Sequence, residues 1–238
     1  MTTITTIDLQ RLGLKPDDRL LDVGCGLGRH TLAAYRHCPL LAVGVDLSLA
    51  DLQQAQRRFG DFDQGSPTRS ALWAQAHGAR LPFADASFDK VICCEVLEHL
   101  DRPELVISEL VRVLKPDGLL AVSVPSYWPE RLCWLLSRDY PADVGHLRIF
   151  RGDELPCAIE ATGLRCIAEH REHGLHSPWW WLQAMLWSRR EQSRLVRRYK
   201  DFLDWALFRS PAWLRRLELR LNPLLGKSRV FYFTFTRR

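Results

Sequence analysis

Seven cysteines are scattered over the 238 residues, and no two of them form a C-x-x-C pair. That excludes a zinc ribbon and argues against a disulfide framework, pointing instead to a reducing, cytoplasmic setting. No apolar run reaches the ~18 residues of a helical membrane span. The opening MTTITTIDLQRLGLKPDD has neither a charged n-region nor a long apolar stretch, so no signal peptide is expected. Internal repeats and low-complexity tracts are absent as well. What remains is an ordinary globular composition, 47% hydrophobic and 26% charged, with length for one α/β domain plus an elaboration.

Charge is unevenly placed. Arg189 to Arg220 holds ten Lys/Arg and four Asp/Glu, a surplus of 10 − 4 = +6 against a chain total of +5. The basic character therefore belongs to one region.

Residues 19 to 124 read as alternating strands and helices. RLLDVG (19–24), LLAVGVD (40–46), ALWAQA (71–76), DKVICC (89–94) and LLAVSV (119–124) are short apolar strands. Helices are expected over Arg29–His37, Leu49–Phe59 and Pro103–Leu114, the last with Asp101 as N-cap and Lys115–Gly118 as a stop. GDFDQGSPTRS (60–70) is a loop by composition. Such alternation implies a parallel sheet with helices on both faces. Further on, helices are expected at Glu130–Arg138 and Gly152–Ala161, and strands near Leu164–His170 and over RVFYFTFTR (229–237).

The most specific signal is LLDVGCGLGRH (20–30). A strand ends, and Gly24, Gly26 and Gly28 let the backbone turn tightly and approach a ligand. Eighteen residues beyond Gly28, Asp46 closes the second strand, where it can accept ribose hydroxyl protons. A dinucleotide fingerprint needs G-x-G-x-x-G. Here the third glycine comes one residue early, with Arg29 in its place. Asp22 would repel a pyrophosphate but suits an α-amino group, so the combination fits a cationic, phosphate-free nucleoside.

LLDVGCGLG, VGVDLS (43–48), LPFADASFDKV (81–91), EVLEHL (95–100) and LVRVLKPDGLL (110–120) together resemble the class I S-adenosylmethionine (SAM) methyltransferases. The likeness is to their type 11 group, which includes ubiquinone and menaquinone biosynthesis enzymes. It implies a Rossmann-like, seven-stranded mixed sheet whose last strand, RVFYFTFTR, is antiparallel. It implies SAM held by Asp22 and the loop Gly24, Cys25, Gly26 and Gly28 at its methionine end, and by Asp46 with Leu47 at the ribose. His77 and Gly78 stand where the family places its adenine contact, and Cys94 is counted in the same set. The implied organisation is a SAM-binding core over 1–173, a helical insert over 174–228 and a final core strand over 229–238.

EVLEHL carries two carboxylates and an imidazole at the exit of the fourth strand. As a helical turn it would put Glu95, Glu98 and His99 on one face. One reading is structural: Glu98 and His99 hold neighbouring loops. Another is general-base work by an imidazole. The third is a metal, since E-x-x-E-H resembles the metal-binding segment of some O-methyltransferases. Glu95, Glu98, His99 and a downstream His146 would be the ligands, suiting Mg, Mn, Fe or Zn. His146 follows the fifth strand in a loop that should reach over the acceptor pocket; as a single base it is preferred to His99, with Glu95 beside them. Tyr127 could line the same pocket. Cys93 and Cys94 read as strand packing.

Six of the nine tryptophans fall between 179 and 213, interleaved with the arginines. The insert is therefore expected to act as a lid over an amphipathic or glycosylated acceptor. Trp179, Trp180 and Trp181 would touch the inner face of a membrane. Nucleic acid is disfavoured because no RNA-binding module is present. The function expected is O-methylation of a hydroxyl on a sugar, glycolipid or isoprenoid-like acceptor. Carbon methylation of a prenylated quinone, or SAM binding without transfer, stand as alternatives.

Overall fold

The computed structural model describes residues 5–61 and 68–236. Most of the expected loop at 60–70, and the end of the final expected strand, lie outside these residues.

The core strands are β1 (Arg19–Val23), β2 (Leu41–Asp46), β3 (Ser70–Gln75), β4 (Phe88–Cys94), β5 (Leu114–Pro125), β6 (Leu164–Glu172) and β7 (Ser228–Phe235). They form one sheet in the order β3-β2-β1-β4-β5-β7-β6. The first five are parallel, and β7 runs antiparallel to both β5 and β6. This is the expected Rossmann-like mixed sheet.

Both sheet faces are covered, which is why Leu20 and Leu21 in β1 and Val91 to Cys94 in β4 are consecutive apolar residues rather than alternating with polar ones. Leu21, Val23, Val91 and Cys93 face one core with Val106 and Leu110, from helix α4 (Pro103–Val113). Leu20, Ile92 and Cys94 face the other with Ile7 and Ala34, from the N-terminal segment and helix α2 (Arg29–His37). Helix α1 (Leu9–Leu12) is a single turn capped by Asp8, and α3 (Leu49–Gly60) follows β2.

One local expectation fails. The residue before α4 is Arg102, with no side-chain cap, so Asp101 does not cap it. The helix does end at Val113, just before Lys115–Gly118, but those four residues lie within a strand. Strand β5 begins at Leu114, and the register shifts so that Leu114 opposes Phe88 while Leu119 opposes Lys90. The four residues between are a bulge, which tolerates the missing N–H of Pro116.

After β5 come α5 (Tyr127–Leu136), α6 (Tyr140–Val144) and α7 (Glu154–Glu160). The insert between β6 and β7 is α8 (His176–Met185), α9 (Arg194–Arg209) and α10 (Ala212–Leu225). A small core of Cys133, Tyr140, Ala184 and Trp187 seals α8 to α5 and α6. No described helix is long and apolar enough to cross a membrane.

Candidate active site

Strand order reverses at β1 and β4, so the crevice beyond their carboxyl ends is where an open α/β sheet binds ligands. A cleft of about 260 Å³ lies there. Its walls include Gly24, Asp46, Leu47, His77 and Gly78, five of the ten residues expected at the cofactor.

The loop between β1 and α2 is built by left-handed glycines. At Gly24 φ is 71°, and an added Cβ would strike Val96 Cγ2 at 2.3 Å. At Gly26 φ is 50° and an added Cβ would meet nothing within 4 Å. The loop is thus held from below and open above, as a ligand-cradling loop must be. Asp46 fixes it: Oδ2 accepts from Gly26 N–H (2.7 Å) and Oδ1 from Ser48 N–H (2.9 Å). Each oxygen keeps a lone pair for hydroxyl donors.

Asp22 is placed differently from expectation. It is buried beneath the loop, where Oδ2 accepts from the Thr31 amide (3.0 Å) and hydroxyl (2.7 Å) and so anchors α2. It is not in the cleft wall. Its Oδ1 is buried with no partner, and burial raises its pKa to about 6. Cys25, Gly26, Gly28 and Cys94 also stay out of the wall. Gly28 is needed for packing, since a Cβ there would meet the Trp73 ring at 2.4 Å.

A second cavity of about 320 Å³ adjoins the first, and Glu95 and His99 line both. EVLEHL is therefore the partition between them. Its turn is a 3-10 helix over only Leu97–His99, and Glu95 before it is left-handed at φ 55°. That backbone turn takes Glu95 off the face shared by Glu98 and His99. Ser123 Oγ donates to Glu95 Oε1 at 2.9 Å. Glu95 is thus absent from the potential ligand set, which is Glu98, His99 and His146, with ligand atoms within 4.8 Å of one another.

His146 does fold over. Leu147 N–H donates to the Glu98 carbonyl (2.9 Å), and the His99 and His146 rings are 4.9 Å apart. His99 Nδ1 lies 2.9 Å from the Gly145 carbonyl, which accepts only, so this nitrogen carries the proton and Nε2 is left bare. Burial lowers the His99 pKa, which favours the neutral ring and makes that nitrogen a weaker base.

His146 Nδ1 lies 2.6 Å from Glu130 Oε1, a residue that sequence reasoning missed. Glu130 is fully buried. Burial alone would raise its pKa, but the hydrogen bond from His146 and the Lys227 cation bring it down to about 2. Lys227 Nζ donates to Glu130 Oε2, Tyr140 Oη donates to the same oxygen (3.2 Å), and Trp134 Nε1 to Oε1 (3.1 Å). Glu130 is on an apolar helix and Lys227 precedes the last strand, so no local pattern links them. Glu98, by contrast, is buried with both carboxyl oxygens bare.

Trp179 and Trp180 line this second cavity with Tyr140, Arg29 and Lys227. Trp181 Nε1 donates to the Pro129 carbonyl (3.0 Å). The triplet therefore points inward, not toward a membrane. Tyr127 lies in a different cavity, near Arg229 and Phe231.

Comparison with known proteins bears on the domain and the fold. Residues 21–122 match a family model described as a methyltransferase domain. An O-methyltransferase resE of Aspergillus sclerotiorum is 31% identical over 113 residues, 48% of this chain and 42% of its own. A demethylmenaquinone methyltransferase of Parafrankia sp. (strain EAN1pec) is 35% identical over 156 residues, 59% of this chain and 61% of its own. The chain thus spans about half the length of these curated relatives. A putative sarcosine dimethylglycine methyltransferase from Galdieria sulphuraria shares the fold, with TM-score 0.64 and 16% identity over 94% of this chain and 81% of that one.

Proposed function

We propose that this chain, whose residues 21–122 match a methyltransferase domain model, O-methylates a hydroxyl of an amphipathic acceptor. The donor would be SAM, which supplies an electrophilic sulfonium methyl. The observation that carries the reading is the shared wall: Glu95 and His99 face both the nucleotide cleft and the second cavity. Donor and acceptor would meet across it.

The residues fit SAM as follows. The open left-handed turn at Gly26 and the spare lone pairs of Asp46 suit the donor's amino-acid end and ribose. Asp22, beneath the loop, would act through a water or through the loop itself. In the second cavity His146 is the base. Glu130 accepts from Nδ1–H and so holds Nε2 bare toward the cavity, where it takes the hydroxyl proton and passes it to solvent. Lys227 fixes the Glu130 charge. Trp179, Trp180 and Tyr140 exclude water and offer aromatic faces to a sugar or isoprenoid.

A second reading of the same pocket, carbon methylation of a prenylated quinone, is favoured by the name of the demethylmenaquinone methyltransferase relative. A metal reading rests on the two bare oxygens of Glu98. An ion held by Glu98, His99 and His146 would acidify a bound hydroxyl. It would use the His146 nitrogen otherwise free as base, so the two roles exclude each other.

The test is calorimetry with SAM and with NAD, followed by transfer of labelled methyl from SAM into fractionated polar and neutral lipid extracts. SAM binding with label in a hydroxyl-bearing lipid or glycolipid is expected. NAD binding without SAM would end the methyltransferase reading. SAM binding with no methylated product would favour a binding module.

A further inference from the structure

We propose that His173, His176 and Glu218 form a second divalent-cation site, suited to Zn²⁺, which clamps the helical insert to the core behind the acceptor cavity. Their potential ligand atoms lie within 4.8 Å of one another. None of the three belongs to the catalytic constellation described above.

The sequence builds the site from one turn and one helix. Strand β6 ends at Glu172, and His173 then adopts a left-handed backbone, φ 66°. That conformation is uncommon for a residue with a side chain. The His176 amide donates to the His173 carbonyl (3.0 Å), closing the turn. The two rings consequently meet edge to face with centroids 5.2 Å apart. Glu218 arrives from α10, one helical turn before Asn222. Asn222 Oδ1 accepts from Gly174 N–H at 2.8 Å, seating α10 on this same turn.

Two further observations point to a ligand. His176 Nδ1 is buried with no hydrogen-bond partner, a cost unless something else meets it. The Thr6 hydroxyl sits 3.1 Å from His173 Nε2 and orients that ring, as outer partners of metal-ligating histidines do. Glu218 is the only ligand carrying charge. Arg29 lines the acceptor cavity with both histidines and opposes a dication there, while Glu172 shares the neighbouring cavity wall with Glu218.

Two histidines and one carboxylate match a common Zn²⁺ donor set, with bonds of about 2.0–2.1 Å. A tetrahedral ion needs its ligand atoms about 3.4 Å apart, so rotations of the order of an ångström close the site. A fourth position stays open. His173 and His176 line both the acceptor cavity and a neighbouring cavity of about 300 Å³, so that position faces ligand space.

The experiment titrates the chelator-stripped full chain with Zn²⁺ and with Co²⁺, reading stoichiometry, the visible Co²⁺ spectrum and the melting temperature. The background is Glu98→Gln/His146→Gln, which removes the other cluster. One equivalent should bind, with a tetrahedral Co²⁺ spectrum and a melting temperature about 4–8 °C higher. Adding His176→Ala and Glu218→Gln should weaken binding by more than about 100-fold. No bound equivalent in the background protein, or unchanged affinity on adding the two substitutions, would overturn the proposal. Glu218→Gln alone, checked by near-UV circular dichroism, separates loss of a ligand from loss of fold; if it keeps full affinity, the carboxylate assignment is wrong.

Discussion

His146 Nδ1 stands 2.6 Å from Glu130 Oε1, and the other oxygen of that carboxylate receives the buried Lys227 ammonium. A charge on α5, one on the approach to β7 and an imidazole from the loop after α6 thus meet in one buried cluster. Breaking a buried pair leaves an uncompensated charge. Glu130→Ala should therefore cost about 3–5 kcal/mol in urea unfolding, and Glu130→Ala/Lys227→Met should recover most of it. Equal stabilities for the single and double variants would contradict the pairing. Glu130→Gln, which keeps the shape but offers Nδ1 no charge, should lower kcat by about 100-fold or more with little change in SAM affinity.

The glycine loop makes a ranked prediction. Gly24→Ala adds both left-handed strain and a collision with Val96 at 2.3 Å, whereas Gly26→Ala adds the strain alone, worth about 1–2 kcal/mol. Thermal unfolding should rank Gly24→Ala below Gly26→Ala, and Val96→Ala should partly rescue the former. In SAM titrations the order should reverse in meaning: Gly26→Ala fills the open side and weakens binding despite its milder effect on stability.

Asp22 imposes a pH dependence on the ligand-free protein. Its folded pKa, about 6, lies above the ordinary 3.8 because burial disfavours the carboxylate. The folded state then holds its proton more tightly than the unfolded one. This contribution is fully present below about 3.8 and is lost as pH rises through about 6, an effect of about 3 kcal/mol at most. Asp22→Asn should flatten the melting-temperature profile over that window. Parallel profiles for the two proteins would count against it.

Glu98 distinguishes metal from structure. Its bare, buried oxygens are a cost without a partner. In metal-free protein Glu98→Gln should leave the melting temperature unchanged or higher. If an ion is held there, chelator should abolish methyl transfer and Glu98→Gln should mimic it. Full activity in chelator with wild-type sequence would leave His146 as the base.

The insert retains a membrane-facing option on different residues from those first expected. Trp205, Phe208, Trp213 and Leu224 are exposed, beside Arg209, Arg215 and Arg216. Phe208→Ser/Trp213→Ser should reduce co-sedimentation with anionic vesicles, while Trp179→Ala should leave it intact. The opposite ranking would return the inward-facing triplet to the surface.

Local pattern carried the fold: apolar five- to seven-residue runs, glycines after β1 and an acid closing β2 describe one strand-loop-strand unit that needs no distant partner to be recognised. Gly24 and Asp46 in the open wall were legible for the same reason, because they stand at strand ends, whereas His77 and Gly78 were named only through the family resemblance. EVLEHL was legible only as a cluster. The left-handed turn at Glu95, which splits that carboxylate from Glu98 and His99, is a backbone event that residue spacing does not encode. Glu130 was invisible because it sits in an apolar helix and its partners His146 and Lys227 are 16 and 97 residues away.

The sequence by itself determined an α/β core whose motifs resemble methyltransferase domains, the place of its glycine loop and the basic, tryptophan-rich character of the insert. The tertiary structure decided which polar groups meet. It turned Trp179–Trp181 inward, gave His146 its carboxylate, set Asp22 below the loop rather than in the cleft, and drew His173, His176 and Glu218 together. The physical reason is that strand and helix signals are set by neighbours along the chain, whereas the charge and orientation of a buried side chain are set by whatever the fold packs against it.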